Sequence, residues 1–126
     1  MPFVQIALQK GKPTDFRKKV GEIVYQAIVD TVNVPANDRF QVISEHDKDS
    51  LIYDPNYLDI QRTDGVIFIQ ITLNAGRTLE RKQALYKEIA EQLHKQLGIR
   101  KEDVFISLVE VTRENWSYGN GIAQYA

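Results

Sequence analysis

The sequence predicts an α+β fold: a four-stranded mixed sheet with two helices on one face, built from a duplicated β-α-β unit. Two observations predict it. Segments of two-residue apolar period and segments of helical period follow one another as strand, helix, strand, and then do so again. The second half also repeats the first at a spacing of 65 residues. Gly11 maps to Gly76, and Val20, Val24, Ile28 and Val32 map to Leu85, Ile89, Leu93 and Leu97. Val34 maps to Ile99, Asp38 to Asp103 and Phe40 to Phe105. Apolar matches arise by chance; the shared Gly, Asp and Phe argue for duplication. The period is too long for a solenoid unit.

The first strand lies in residues 2–9, where Val4, Ile6 and Leu8 alternate with Gln5, Ala7 and Gln9. Gly11 and Pro13 break it, and Thr14 is placed to cap a helix. Along that helix Val20, Ile23, Val24, Ala27, Ile28 and Val32 form one apolar stripe. Asn33 and Pro35 end it, since a residue before proline avoids helical backbone. Phe40, Val42 and Ile43 begin the second strand. Residues 66–73 read as a central strand, apolar on both faces. Thr78 is the expected cap of the second helix, Gly98 its C-terminal stop, and 104–111 the fourth strand.

Residues 1–126 are read as a single domain. Its repeat units span about 2–45 and 66–111, joined by a polar loop at 46–65 and followed by a docked tail at 112–126. Loops of that length are often functional, and Leu51, Ile52 and Tyr53 are expected to hold this one down as a short edge strand. The tail groups Trp116, Tyr118 and Tyr125 with Gly119 and Gly121. Right-handed crossovers put both helices on one side of the sheet. The other side is bare, and with Val66, Ile67, Phe68 and Ile69 all apolar it is expected to be covered in a homo-oligomer.

Sixteen basic and seventeen acidic side chains leave a net charge of -1 without a run of either sign. Neither nucleic acid nor an anionic membrane is indicated as a partner. The absence of cysteine removes disulfides, thiolate nucleophiles and sulfur metal sites. His46, Asp47 and Asp49 read as a solvated loop, so no metal and no cofactor are expected. With no membrane-length apolar run and no signal-peptide pattern, a cytoplasmic location is expected.

Pro2 follows the initiator methionine. Once Met1 is trimmed, Pro2 presents a secondary amine, which no other residue can offer. A free α-amine has a pKa of about 7.7–8.0, and apolar burial lowers it toward that of a useful base. Proline is also a common second residue, so its position alone is weak evidence.

Several segments together are more telling: Pro2 opening a strand, two β-α-β units, Val34-Pro35-x-x-Asp38-Arg39-Phe40, Gly76-Arg77-Thr78, and Trp116-Ser117-Tyr118-Gly119. With these the chain resembles the tautomerase superfamily and, within it, the malonate semialdehyde decarboxylase-like group, over essentially its whole length. The resemblance implies catalysis by the amino-terminal proline, a homotrimer and a small oxo-carboxylate substrate. It assigns Asp38 to the group's catalytic aspartate and Arg77 to a carboxylate-binding arginine. Trp116, Tyr118 and Tyr125 fall at positions that wall the pocket. The alternatives are a turn residue for Asp38, a solvated loop for Arg77 and plain packing for the three rings. Two departures stand out. The decarboxylases carry two arginines separated by a proline where this chain reads Asn74-Ala75-Gly76-Arg77, and tyrosine replaces phenylalanine at 118 and 125.

Three functions remain open at this level. Neutral Pro2 would tautomerise a 2-oxo acid; cationic Pro2 would decarboxylate a 3-oxo acid such as malonate semialdehyde; and a ferredoxin-like domain would bind a small ligand without catalysis.

Overall fold

The computed structural model describes residues 2–126. Met1, on whose removal the Pro2 reading depends, lies outside the described residues. The strands are β1 (Phe3–Gln9), β2 (Phe40–His46), β3 (Ile67–Asn74) and β4 (Val104–Val111). The helices are α1 (Thr14–Val32) and α2 (Leu79–Leu97). Sheet order is β2-β1-β3-β4. β1 pairs with β2, and β3 with β4, in parallel; the two units meet along an antiparallel β1/β3 seam. This excludes the ferredoxin-like arrangement, in which the two strands joined by each helix are split by another strand. Here each such pair bonds directly.

The repeat is visible in the coordinates. α1 and α2 begin and end 65 residues apart. Gly11 and Gly76, at equivalent turns, both take φ +123°. Asn33 and Gly98, again equivalent, both close their helices in the left-handed region. One core joins the stripes of both helices to Val4, Ile6 and Leu8 of β1 and Ile67, Ile69, Ile71 and Leu73 of β3. α1 approaches β2 closely at the buried Gly21, whose carbonyl accepts from the Gln41 amide at 2.8 Å.

Helix starts differ between the copies. Thr78 caps α2 as expected, its hydroxyl accepting the Arg81 N–H at 3.3 Å. Thr14 does not cap α1. It is the first helical residue, Pro13 occupies the cap position, and the Thr14 hydroxyl accepts from the Arg17 guanidinium instead. The Pro13 carbonyl already takes the Phe16 and Arg17 N–H groups, so the helix is nucleated one residue early.

Two further expectations are corrected. Leu51–Tyr53 forms no strand: Leu51 is buried, but Ile52 is 81% exposed. The loop satisfies its own backbone, with Arg62 N–H bonded to the Pro55 carbonyl and the Arg62 guanidinium donating to the carbonyls of Asp54, Tyr57 and Ile60. It therefore needs no ladder partner. β3 is likewise not apolar on both faces. Its alternation sends Ile67 and Ile69 to the helices and leaves Phe68, Gln70 and Thr72 on the open face. Of the four residues invoked for that face, Ile67 and Ile69 belong to the helix-side core, and Phe68 lies on the open face. Its other apolar groups include Phe3, Ala7, Phe40, Val42, Phe105 and Val109, with Gln5, Ser44, Gln70 and Ser107 between them.

Among the described residues, no helix is long and apolar enough to cross a membrane. Nor does any group of three His, Asp or Glu residues there have the arrangement of a metal site.

Candidate functional site

Pro2 is buried at the start of β1, a central strand. The parallel register sets Phe3 opposite Phe40, so Pro2 and the Asp38–Arg39 segment flank the same end of the sheet. At that end lies a cavity of about 280 Å³, lined by Pro2, Phe3, Phe40, Trp116, Ser117 and Tyr118. Residues 116–118 of the tail thus meet Pro2 across one cavity.

The aromatic wall is ordered by ring contacts. Trp116 stacks on Tyr118 at 5.5 Å and 16°, and Tyr125 meets Tyr118 edge-on at 5.7 Å. Tyr125 itself is exposed and reaches the wall through Tyr118. The Tyr118 phenol is raised above its ordinary pKa of 10, first by burial, then by the Asp38 carboxylate and by Tyr125. It is a neutral hydrogen-bonding group at ordinary pH. Asp38 is half-buried in a turn closed by its N–H on the Pro35 carbonyl at 3.3 Å, and its charge is felt at the aromatic wall.

Arg77 stands apart. It precedes the Thr78 cap of α2, is half-buried, and donates from Nη1 to the Asn74 carbonyl at 2.8 Å. It does not line the cavity, yet it is linked to it: Asn74 Oδ1 accepts the Trp116 indole N–H, also at 2.8 Å. The structure thus brings Pro2, Trp116 and Tyr118 into one cavity, sets Tyr125 against Tyr118 with the Asp38 charge within electrostatic range of it, and connects Arg77 through Asn74. Sequence reasoning missed Asn74, Phe3, Phe40 and Ser117 as site residues. A polar residue closing the strand, directly before the loop that carries Arg77, was the one available signal for Asn74.

A buried proline at the mouth of a central strand, an aromatic wall from the chain terminus and a doubled β-α-β sheet define the tautomerase class. Comparison with known proteins agrees. A family model described as Tautomerase enzyme matches residues 38–119, and a second of the same description matches residues 2–59. The chain is 48% identical to the probable tautomerase YusQ of Bacillus subtilis (strain 168), over 98% of each chain. Its fold matches FG41 malonate semialdehyde decarboxylase inhibited by 3-bromopropiolate with a TM-score of 0.90. Those two are 35% identical over 98% of this chain and 93% of that one. A second malonate semialdehyde decarboxylase, described as having decarboxylase and hydratase activities, also gives a TM-score of 0.90. Here the identity is 29%, over 98% of this chain and 95% of that one. The chain belongs to the tautomerase superfamily of enzymes, in its malonate semialdehyde decarboxylase-like group.

Proposed function

We propose that this enzyme catalyses keto–enol tautomerisation of a small 2-oxo acid, with the Pro2 nitrogen, freed by loss of Met1, as the proton carrier. The observation that carries the reading is the burial of Pro2 in the wall of a cavity shared with Trp116 and Tyr118. Apolar surroundings disfavour the charged amine and so lower its pKa toward neutrality. The neutral nitrogen takes the enol hydroxyl proton, and the ammonium so formed delivers it to C3 of the substrate as the carbonyl forms; the reverse transfers restore the enol. Arg77 has five N–H donors, one of which is given to Asn74, and the others suit a substrate carboxylate. Trp116 and Tyr118 exclude water, and the neutral phenol of Tyr118 is available to donate to the substrate carbonyl. Tyr125 supports Tyr118 by its edge-on contact.

Decarboxylation of a 3-oxo acid is the second reading. The likeness to malonate semialdehyde decarboxylase over 98% of the chain favours it, as does the Asp38 charge felt at the aromatic wall. That reaction needs Pro2 cationic, because the carbonyl must be polarised as carbon dioxide leaves. The single arginine in the Asn74–Arg77 loop weighs against it. The two readings demand opposite protonation states of one nitrogen.

The test begins with mass spectrometry of the N-terminus from the natural host, where methionine removal is expected. ¹⁵N NMR titration of Pro2 then separates a pKa near or below neutral, for the base, from one well above it, for the acid. Turnover of phenylenolpyruvate and of malonate semialdehyde, followed side by side, provides the chemical answer. An intact free amine that turns over neither compound would refute both readings. The open sheet face, with Phe3, Phe40, Val42, Phe68 and Phe105, supports assembly of this enzyme into a homotrimer.

A further inference from the structure

We propose that Asn74 is a positioning residue of this site, holding the Trp116 ring in the wall of the cavity it shares with Pro2. The inference rests on reading the Pro2 cavity as the reaction site. Asn74 is the last residue of β3, set opposite Val111 of β4, and the next N–H, that of Ala75, bonds to the Val111 carbonyl at 2.9 Å. Its backbone is therefore fixed by the sheet. From that anchored point Oδ1 reaches the Trp116 indole N–H at 2.8 Å. An indole nitrogen only donates, so the atom that meets it is the amide oxygen.

Stacking on Tyr118 leaves the indole free to turn within its own plane; a directed N–H···O bond selects one orientation. The tail's other polar contacts include bonds within itself, Tyr118 N–H to Gln124 Oε1 at 3.0 Å and Gln124 Nε2 to the Gly119 carbonyl at 2.9 Å. The Asn74 bond instead crosses to the sheet. The carbonyl of the same residue holds Arg77, so one strand end sets both the aromatic wall and the arginine. Substituting the side chain removes only the first of these, because the carbonyl stays in place.

Trp116 is the chain's one tryptophan, so its indole N–H gives a single resonance in a ¹H–¹⁵N spectrum. In Asn74→Leu that proton is expected to move upfield and exchange faster, while Asn74→Asp, which keeps an acceptor oxygen, retains the bonded shift. Asn74→Ala replaces the leucine variant if circular dichroism shows that variant unfolded. With phenylenolpyruvate, Asn74→Leu is expected to lower kcat/KM about tenfold, chiefly through KM. In a Trp116→Phe background the same change should cost nothing further. An unmoved indole resonance overturns the proposal, and so does a loss that multiplies with Trp116→Phe. If the wild-type enzyme does not turn over phenylenolpyruvate, the tautomerase reading fails, and the indole resonance alone decides the role of Asn74.

Discussion

Asp103 holds Thr63 by both of its carboxylate oxygens, Oδ1 accepting the backbone N–H at 2.7 Å and Oδ2 the hydroxyl at 2.6 Å. Only 2% of Asp103 is exposed, and the Arg100 guanidinium lies 3.5 Å from Oδ1. The pair closes the 46–65 loop onto the start of β4. Loss of the carboxylate removes both of these bonds from an exposed loop residue that water can reach, so Asp103→Ala is expected to cost about 1–3 kcal/mol in a urea titration. Gly65→Ala should weaken the same knot, because its Cβ would stand 3.2 Å from Asp103 Oδ2.

Gly11 and Gly76 form a matched experiment. Both have φ +123°, and at neither does an added Cβ meet any atom within 4 Å. Alanine at either site should therefore cost about 1–3 kcal/mol of backbone strain alone, by similar amounts. Only Gly76→Ala should also raise KM, since Arg77 follows it. Equal kinetics in the two variants would remove Arg77 from substrate binding.

The raised pKa of Tyr118 predicts a loss of stability at alkaline pH. Below the ordinary tyrosine value of 10 the phenol is protonated in both states and its contribution is fully present. As pH rises from there through the folded value, the unfolded chain releases the proton first, and stability falls. Tyr118→Phe should flatten this slope relative to wild type in denaturation series run from about pH 9 upward. Parallel slopes would mean that the hydroxyl is effectively solvated.

Assembly should depend on the open sheet face. Val42 is 50% and Phe105 47% exposed in the isolated chain. Val42→Asp or Phe105→Asp would place a charge where a partner packs, so light scattering should show a monomer with unchanged far-ultraviolet circular dichroism. A wild-type chain that is itself monomeric would remove the trimer from the account.

Asp38 and Asp103 illustrate how far the sequence could be read. They occupy the same position in the two units, and that equivalence favours a shared turn role for Asp38. The coordinates keep that turn in both, each N–H bonding the carbonyl three residues back, and separate only the side chains. Thr63 belongs to the connecting loop and Tyr118 to the tail, neither of which is repeated, so the two carboxylates meet different surroundings. Pro2, Trp116 and Tyr118 were legible as candidates by residue type and by resemblance to the family. Asn74 was not, because its role exists only once β3 ends beside the tail.

What the sequence alone determined was the local architecture: two β-α-β units in register at 65 residues, both apolar helix stripes and the Thr78 and Gly98 caps of α2. Each follows from residues within a turn or two of one another, where backbone preference and apolar period suffice. Tertiary structure alone decided the antiparallel seam between β1 and β3, the self-bonded form of the loop, and the meeting of the tail with Pro2. Those contacts join residues far apart in the chain. Their free energy depends on closing long loops and on matching whole faces, which no short stretch of sequence encodes.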